Sequence, residues 1–270
     1  VRSELNVNGL AVTKEGQGPR ILFLHGIGSS RVAFRHQLTG LSPYFTCYAP
    51  DAPGYGDSKD FDALDDIDAY AAIYESLIDG EDISALVGVS FGGVVASRIA
   101  IRGNVQLDAL VLADSSRGSG VNDVRAQAMR ERSNLLLMQG ANSFARQRAH
   151  RLVSPSASKH LIQQVEETMS KAIRMPGYGQ ATRAMAATDH GPLLSKIHTP
   201  TLIVVGGEDA VCPPAESRHL HKLIPNSLYQ EIPGAGHLAN QERPTDFNYL
   251  LKSFLTENLG STIQSGGQKT

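Results

Sequence analysis

Short runs of continuous apolar residues alternate along this chain with stretches of helical spacing, and that alternation limits the architecture more than any other feature. Ile21–His25, Ala85–Val89, Leu107–Ala113 and Thr201–Gly206 are apolar almost throughout, without the in–out pattern of a half-exposed strand. Strands of that kind bury both faces, which is the mark of a parallel sheet covered by helices on either side. Leu10–Lys14, Phe45–Ala49 and Leu228–Ile232 complete the strand set. Helical spacing fills the gaps at Arg31–Leu41, Ile67–Ile78, Gly92–Arg102, Ala215–Leu223 and Pro244–Leu255. At 270 residues the chain has the length of one large α/β unit, or of one unit with an inserted piece.

An insertion is visible. From Arg117 to His190 the spacing is helical and no convincing strand occurs, although strands of the repeating pattern stand on both sides. The expected organisation is a core at 1–116 and 191–259, a helical lid at 117–190, and a polar, Gly/Ser-rich flexible tail at 260–270. The lid carries net charge +6, which leaves −8 for the rest of a chain whose formal total is −2. Two readings of that segregation stand side by side: a solvated helical surface, or a roof whose field favours an anionic substrate.

Composition closes off other classes. Hydrophobic residues at 41% and charged residues at 19% supply a sizeable core and are unlike a disordered chain. The net charge lacks the basic excess of a nucleic-acid binder. No apolar run approaches the ~20 residues of a membrane span, and the first ten residues hold no leader-like apolar stretch. Cys47 and Cys212 form neither a disulfide framework nor a zinc spacing, so a reducing, cytoplasmic setting is the simpler expectation. The expected partner is a small-molecule substrate, with no metal, organic cofactor, nucleic acid or membrane.

Gly88-Val89-Ser90-Phe91-Gly92 carries the chemistry. A buried strand precedes it and a helix follows, the context in which G-x-S-x-G forms a tight turn that presents a nucleophilic serine. A hydroxyl is a poor nucleophile near neutral pH and needs a base. His237, in Pro233-Gly234-Ala235-Gly236-His237, follows the last strand and so lies at the same sheet edge as Ser90. An imidazole base needs a carboxylate to fix its tautomer. Asp209, in the loop after Thr201–Gly206, is the preferred candidate; Glu208 beside it and Asp114 at the end of Leu107–Ala113 are the competitors. An acyl-transfer site also needs two N–H donors for the oxyanion. Phe91 N–H, next to the nucleophile, is one, and Ile27 N–H in the loop His25–Ser30 is the other, with Gly28 as its neighbour. His25, Asp51 and Asp57 read as loop-fixing residues, and His190, at the end of the lid, is a weaker pocket candidate.

Together HGIGSS at 25–30, DAPGYGDS at 51–58, GVSFGG at 88–93, GGEDAVCPP at 206–214 and GAGHLANQERP at 234–244 resemble the α/β-hydrolase superfamily. The likeness covers all but the lid and tail. It implies a mostly parallel central sheet flanked by helices, with an inserted helical lid. GEDAVCPPAES and PGAGHLANQERPTDF look like the 3-oxoadipate enol-lactonase and small-esterase group, which implies hydrolysis of a small, possibly carboxylate-bearing ester or lactone through an acyl-serine. GVSFGG also resembles the elbow of carbon–carbon hydrolases of the meta-cleavage type, although Leu238 stands where those often have Trp. A ligand receptor on the same fold is the non-enzymatic alternative. The lid of this superfamily roofs the pocket, so Arg117, Arg125, Arg130 and Arg183, together with Gly28 and Leu238, are the expected substrate-binding residues.

Overall fold

The computed structural model describes residues 2–64 and 66–265. One eight-stranded sheet runs through it in the order β1-β2-β4-β3-β5-β6-β7-β8. The strands are β1 (Ser3–Val7), β2 (Leu10–Gly16), β3 (Arg20–Leu24), β4 (Thr46–Pro50), β5 (Ala85–Val89), β6 (Ala109–Ala113), β7 (Thr201–Gly206) and β8 (Leu228–Ile232). From β4 to β8 every pairing is parallel, whereas β1–β2 and β2–β4 are antiparallel. All five residues of β5 and of β6 are buried, and all six of β7, as their unbroken apolar sequences require.

Helices cover both faces: α1 (Arg35–Leu41), α2 (Ile67–Gly80), α3 (Phe91–Arg102), α7 (Pro214–Leu223), α8 (Ala239–Glu242) and α9 (Pro244–Ser265) belong to the core, and α4 (Asp123–Ala149), α5 (Lys159–Ala172) and α6 (Gly177–Ala187) form the insertion. Alternate strand residues divide the apolar interior. Leu22, Leu86 and Leu110 pack on one face with α2, α3 and the insertion, while Phe23, Val87 and Val111 pack on the other with α1 and α9. No helix among the described residues is long and apolar enough to cross a membrane.

Several boundaries differ from expectation. Arg31–Phe34 is a 3₁₀ turn capped by Ser30, and α1 begins only at Arg35. β6 starts at Ala109 rather than Leu107, because Leu107 precedes the register shared with β5. β1 was not foreseen: its charged and polar residues alternate with Leu5 and Val7 on an edge strand, paired through an Asn8-Gly9 turn whose residues both have positive φ. α9 continues to Ser265, ten residues beyond the expected end at Leu255 and into the expected tail; residues 266–270 lie outside the described residues.

The sharp turn between β5 and α3 is a packing solution with almost no free space. A Cβ on Gly92 would overlap the Leu24 carbonyl, and one on Gly88 would strike the backbone of Gly92 and Gly93. Gly92→Ala must therefore push β3 away from α3. Overpacking of this kind usually costs ~1–3 kcal/mol, and a backbone obstacle puts this site near the upper end, about 3 kcal/mol. At ~2–4 °C per kcal/mol for a domain of this size, thermal melting should fall by roughly 6–12 °C; an unchanged melting temperature would contradict the packing described.

His190 sits at the end of the insertion, 1% exposed, with neither ring nitrogen hydrogen-bonded. Burial, reinforced by the charge of Arg98, pushes its imidazole down to about 4. It does not line the cavity that opens on Ser90, contrary to its weaker reading as a pocket residue. The unfolded chain therefore binds a proton here near the ordinary histidine value and the folded chain does not. Its contribution to stability is complete above about pH 6.5 and is lost as pH falls toward 4. The span corresponds to about 3 kcal/mol at most. Denaturant melts at pH 8 and pH 4.5 should show this loss, and His190→Met should make the difference smaller; an unaltered difference would rule out His190 as its source.

Candidate active site

Ser90 stands between β5 and α3 with φ +53° and ψ −115°, a conformation that L-residues rarely adopt. Four hydrogen bonds hold it there. Its N–H donates to Ala113 O at 2.9 Å, and its carbonyl accepts from Ser115 Oγ at 2.9 Å, Gly93 N at 2.9 Å and Val94 N at 3.1 Å. The side chain is thereby presented at the carboxyl edge of the sheet, over the N-terminus of α3.

His237, on the loop after β8, brings Nε2 to 3.0 Å from Ser90 Oγ. Its Nδ1 lies 2.8 Å from Asp209 Oδ2. With the carboxylate accepting from Nδ1–H, Nε2 is left as the acceptor facing the serine hydroxyl. Asp209 is fixed in turn, since its Oδ1 accepts from Val211 N at 2.7 Å and Cys212 N at 2.9 Å. His237 is 4% and Asp209 3% exposed, so water competes little with this chain of contacts.

The competing carboxylates go elsewhere. Glu208 is exposed. Asp114 is fully buried, but it accepts from Gly206 N at 2.8 Å and Ala239 N at 3.2 Å, not from the imidazole. Burial, with Asp209 nearby, pushes its carboxyl well above the usual range. It ties the ends of β6 and β7 to the histidine loop. His25 has a similar tethering place: Nδ1 meets Gly26 O at 2.9 Å and Nε2 accepts from Ala52 N at 2.8 Å. Asp51 takes hydrogen bonds from Arg31 N at 2.8 Å and Asp57 N at 2.9 Å, which fixes the loop beneath the site. Ile27 N–H and Phe91 N–H reach no protein acceptor among the described residues, so both donors remain available beside Ser90.

A cavity of about 180 Å³ opens on Ser90 and His237 and is roofed by α4 and α5. Ile27, Gly28 and Leu238 line it. The expected arginines divide. Arg125 lines the cavity, and its Nη1 lies 3.6 Å from Glu216 Oε2. Arg117 does not line it; its Nε is held 2.9 Å from Glu216 Oε1. Burial raises the Glu216 carboxyl, but the hydrogen bonds and charge of Arg117, with Arg125, outweigh it and leave the group below its ordinary value. Arg130 and Arg183 are exposed and outside the lining. Helical geometry explains Arg130: Arg125, Ala128, Met129 and Arg132 face the cavity at i, i+3, i+4 and i+7, and position 130 turns away. Arg183 stands on the outer side of α6, whose neighbouring residues Thr182, Ala184 and Met185 are buried.

Sequence reasoning missed Arg132 and Arg148, which both line the cavity. The seven-residue interval from Arg125 pointed to Arg132. Nothing pointed to Arg148, because it follows a kink: Gly140 has φ +73° and ψ 161° within α4. Also missed was Glu242, which accepts from Gly236 N at 2.9 Å and Ser154 N at 3.1 Å and so joins the histidine loop to the insertion. Among the described residues no cluster of His, Cys, Asp and Glu is arranged to hold a metal ion.

Known proteins share this fold. A protein named 3-oxoadipate enol-lactonase 2 from Acinetobacter baylyi is 24% identical over 242 residues, 88% of each chain. A solved thermophilic esterase from Thermogutta terrifontis, with malate bound, superposes with TM-score 0.84 at 25% identity, covering 96% of this chain and 99% of that one. The enol-lactonase from Burkholderia xenovorans LB400 has the same fold, with TM-score 0.79 at 22% identity over 94% of this chain and 100% of that one. The model of the alpha/beta hydrolase family matches residues 21–248, and with its mostly parallel eight-stranded sheet and its serine turn after β5 the chain belongs to that family.

Proposed function

We propose that this protein is a serine hydrolase that cleaves a small carboxylic ester or lactone through an acyl-serine intermediate. The observation that carries the reading is the continuous contact Ser90 Oγ–His237–Asp209 beneath a cavity of about 180 Å³. That volume is below the ~300–1,000 Å³ of pockets for drug-sized ligands and favours a small substrate. The enol-lactonase from Acinetobacter baylyi and the esterase from Thermogutta terrifontis act on bonds of this class by their names, which supports the choice of ester or lactone.

In this mechanism His237 Nε2 takes the hydroxyl proton as Ser90 Oγ attacks the carbonyl carbon. Asp209 keeps the imidazole in the right tautomer and stabilises its charged form. Ile27 and Phe91 N–H groups donate to the oxyanion of the tetrahedral intermediate. His237 then gives its proton to the departing alkoxide. In the second half water takes the place of the alcohol, His237 accepts its proton, and Ser90 is released with the acid. In a lactone the alkoxide stays tethered to the acyl group, so the product is a single hydroxy acid.

Turnover of 4-nitrophenyl acetate should exceed many equivalents per protein chain, and Ser90→Ala should lower kcat by at least ~10⁴ with the fold intact. Release that stops near one equivalent, or a variant retaining a tenth of the rate, would sink the proposal.

The two buried aspartates make a second test. Asp209→Asn disturbs the imidazole tautomer and should cost about 10³–10⁴ in kcat. Asp114→Asn keeps one acceptor for its backbone partners and should cost less than about tenfold, with most of its effect on stability. Steady-state kinetics on both variants decides the matter, and the opposite ranking would transfer the acid role to Asp114.

A further inference from the structure

Arg132 and Arg148 are sixteen residues apart in sequence, a separation of ~24 Å along a straight helix. Both nevertheless line the cavity over Ser90, because α4 bends at Gly140. The backbone there has a combination of φ and ψ that is nearly confined to glycine. Two guanidiniums are thus brought close enough for each to feel the other. Burial, followed by the charge of Arg132, pushes Arg148 down to about 10.

The charges around them do not balance. Glu216 is the acidic side chain of the cavity lining, and it is already engaged by Arg117 and Arg125. Among the described residues neither Arg132 nor Arg148 forms an ion pair with a carboxylate. Arg148 lies with its guanidinium carbon 5.3 Å from the centre of the Phe144 ring, a cation–π contact that does not use its N–H donors. Neighbouring half-buried like charges without a counter-ion are unfavourable. An arrangement of that kind is stable in function when a ligand supplies the missing anion, and the planar fork of Arg matches a carboxylate with two hydrogen bonds.

We infer that Arg132 and Arg148 form a carboxylate-binding subsite, and that the substrate is an ester or lactone bearing a free carboxylate as well as the reacting carbonyl. Naming the ligand as substrate rests on the hydrolase reading; the anion subsite itself does not. Met129, Met169 and Leu238 line the same cavity and suit a short apolar connector between the two groups. Arg148, and not the exposed Arg130 or Arg183, then discriminates acid from neutral ester.

The test compares mono-4-nitrophenyl glutarate with its methyl ester, after subtraction of spontaneous hydrolysis, on the full chain. The acid should exceed the neutral ester in kcat/KM by tenfold or more. Arg148→Gln and Arg132→Gln should each bring that ratio close to one, while Arg130→Gln should leave it in place. Circular dichroism melts verify that the variants are folded, and the wild-type ratio stands without them. A calorimetric titration with glutarate should show binding that Arg148→Gln abolishes. Equal rates for the two esters, or a ratio that survives both substitutions, overturns the subsite while leaving the hydrolase reading in place. If neither ester is cleaved, the hydrolase reading falls, and glutarate binding lost in Arg148→Gln would still uphold the subsite. No glutarate binding, or tighter binding of inorganic phosphate, overturns the carboxylate assignment.

Discussion

The close approach of α3 to β3 at Gly92 governs much of this molecule. The helix can begin immediately after β5 because its first turn lies against the Leu24 carbonyl with no side chain between them. That contact sets how sharply the chain turns at Ser90 and therefore where the hydroxyl points. A residue in so unfavourable a conformation persists only when its surroundings over-determine it. Here the surroundings are Ala113, Ser115 and the first turn of α3, so β6 as well as β5 holds Ser90 in place.

His237 and Asp209 hang on the same sheet edge as Ser90 through buried hydrogen bonds. Asp114 joins the end of β7 to Ala239 beyond the histidine. Glu242 joins Gly236, the residue before His237, to Ser154 of the insertion. Leu238 packs with Ala149, Val153 and Val165, so the histidine loop is gripped between core and roof. A displacement of the insertion would thus be felt at His237 as well as in the cavity. The positive charge of the insertion is likewise not spread evenly. Arg117 and Arg125 are matched by Glu216 on α7, whereas Arg132 and Arg148 line the cavity without a carboxylate partner among the described residues.

Much of this was legible in the sequence, for reasons that are local. The buried parallel strands are continuous apolar runs, and a run has no other stable place than between two layers. The serine turn is legible because glycine is needed at both flanks. The common edge of Ser90, His237 and the candidate carboxylates is legible because each follows a strand, and every parallel strand delivers its following loop to the same edge. β1 was hidden because an exposed edge strand needs few apolar residues. The length of α9 was hidden because its last turns carry the small polar residues that also mark tails.

What the sequence determined by itself, then, was the layered fold, the order of Ser90, the carboxylates and His237, and their common edge, since each follows from hydrophobic patterning or from a backbone requirement confined to a few neighbours. Which carboxylate meets His237 and which arginines face the cavity were decided only by tertiary structure. Asp114, Glu208 and Asp209 are chemically alike, and only the packing of β6, β7 and the histidine loop assigns one to backbone donors, one to solvent and one to the imidazole. The insertion's net charge is a sum without direction. The bend at Gly140 and the pairing of Arg117 with Glu216 give it one, because both depend on contacts between segments far apart in the chain.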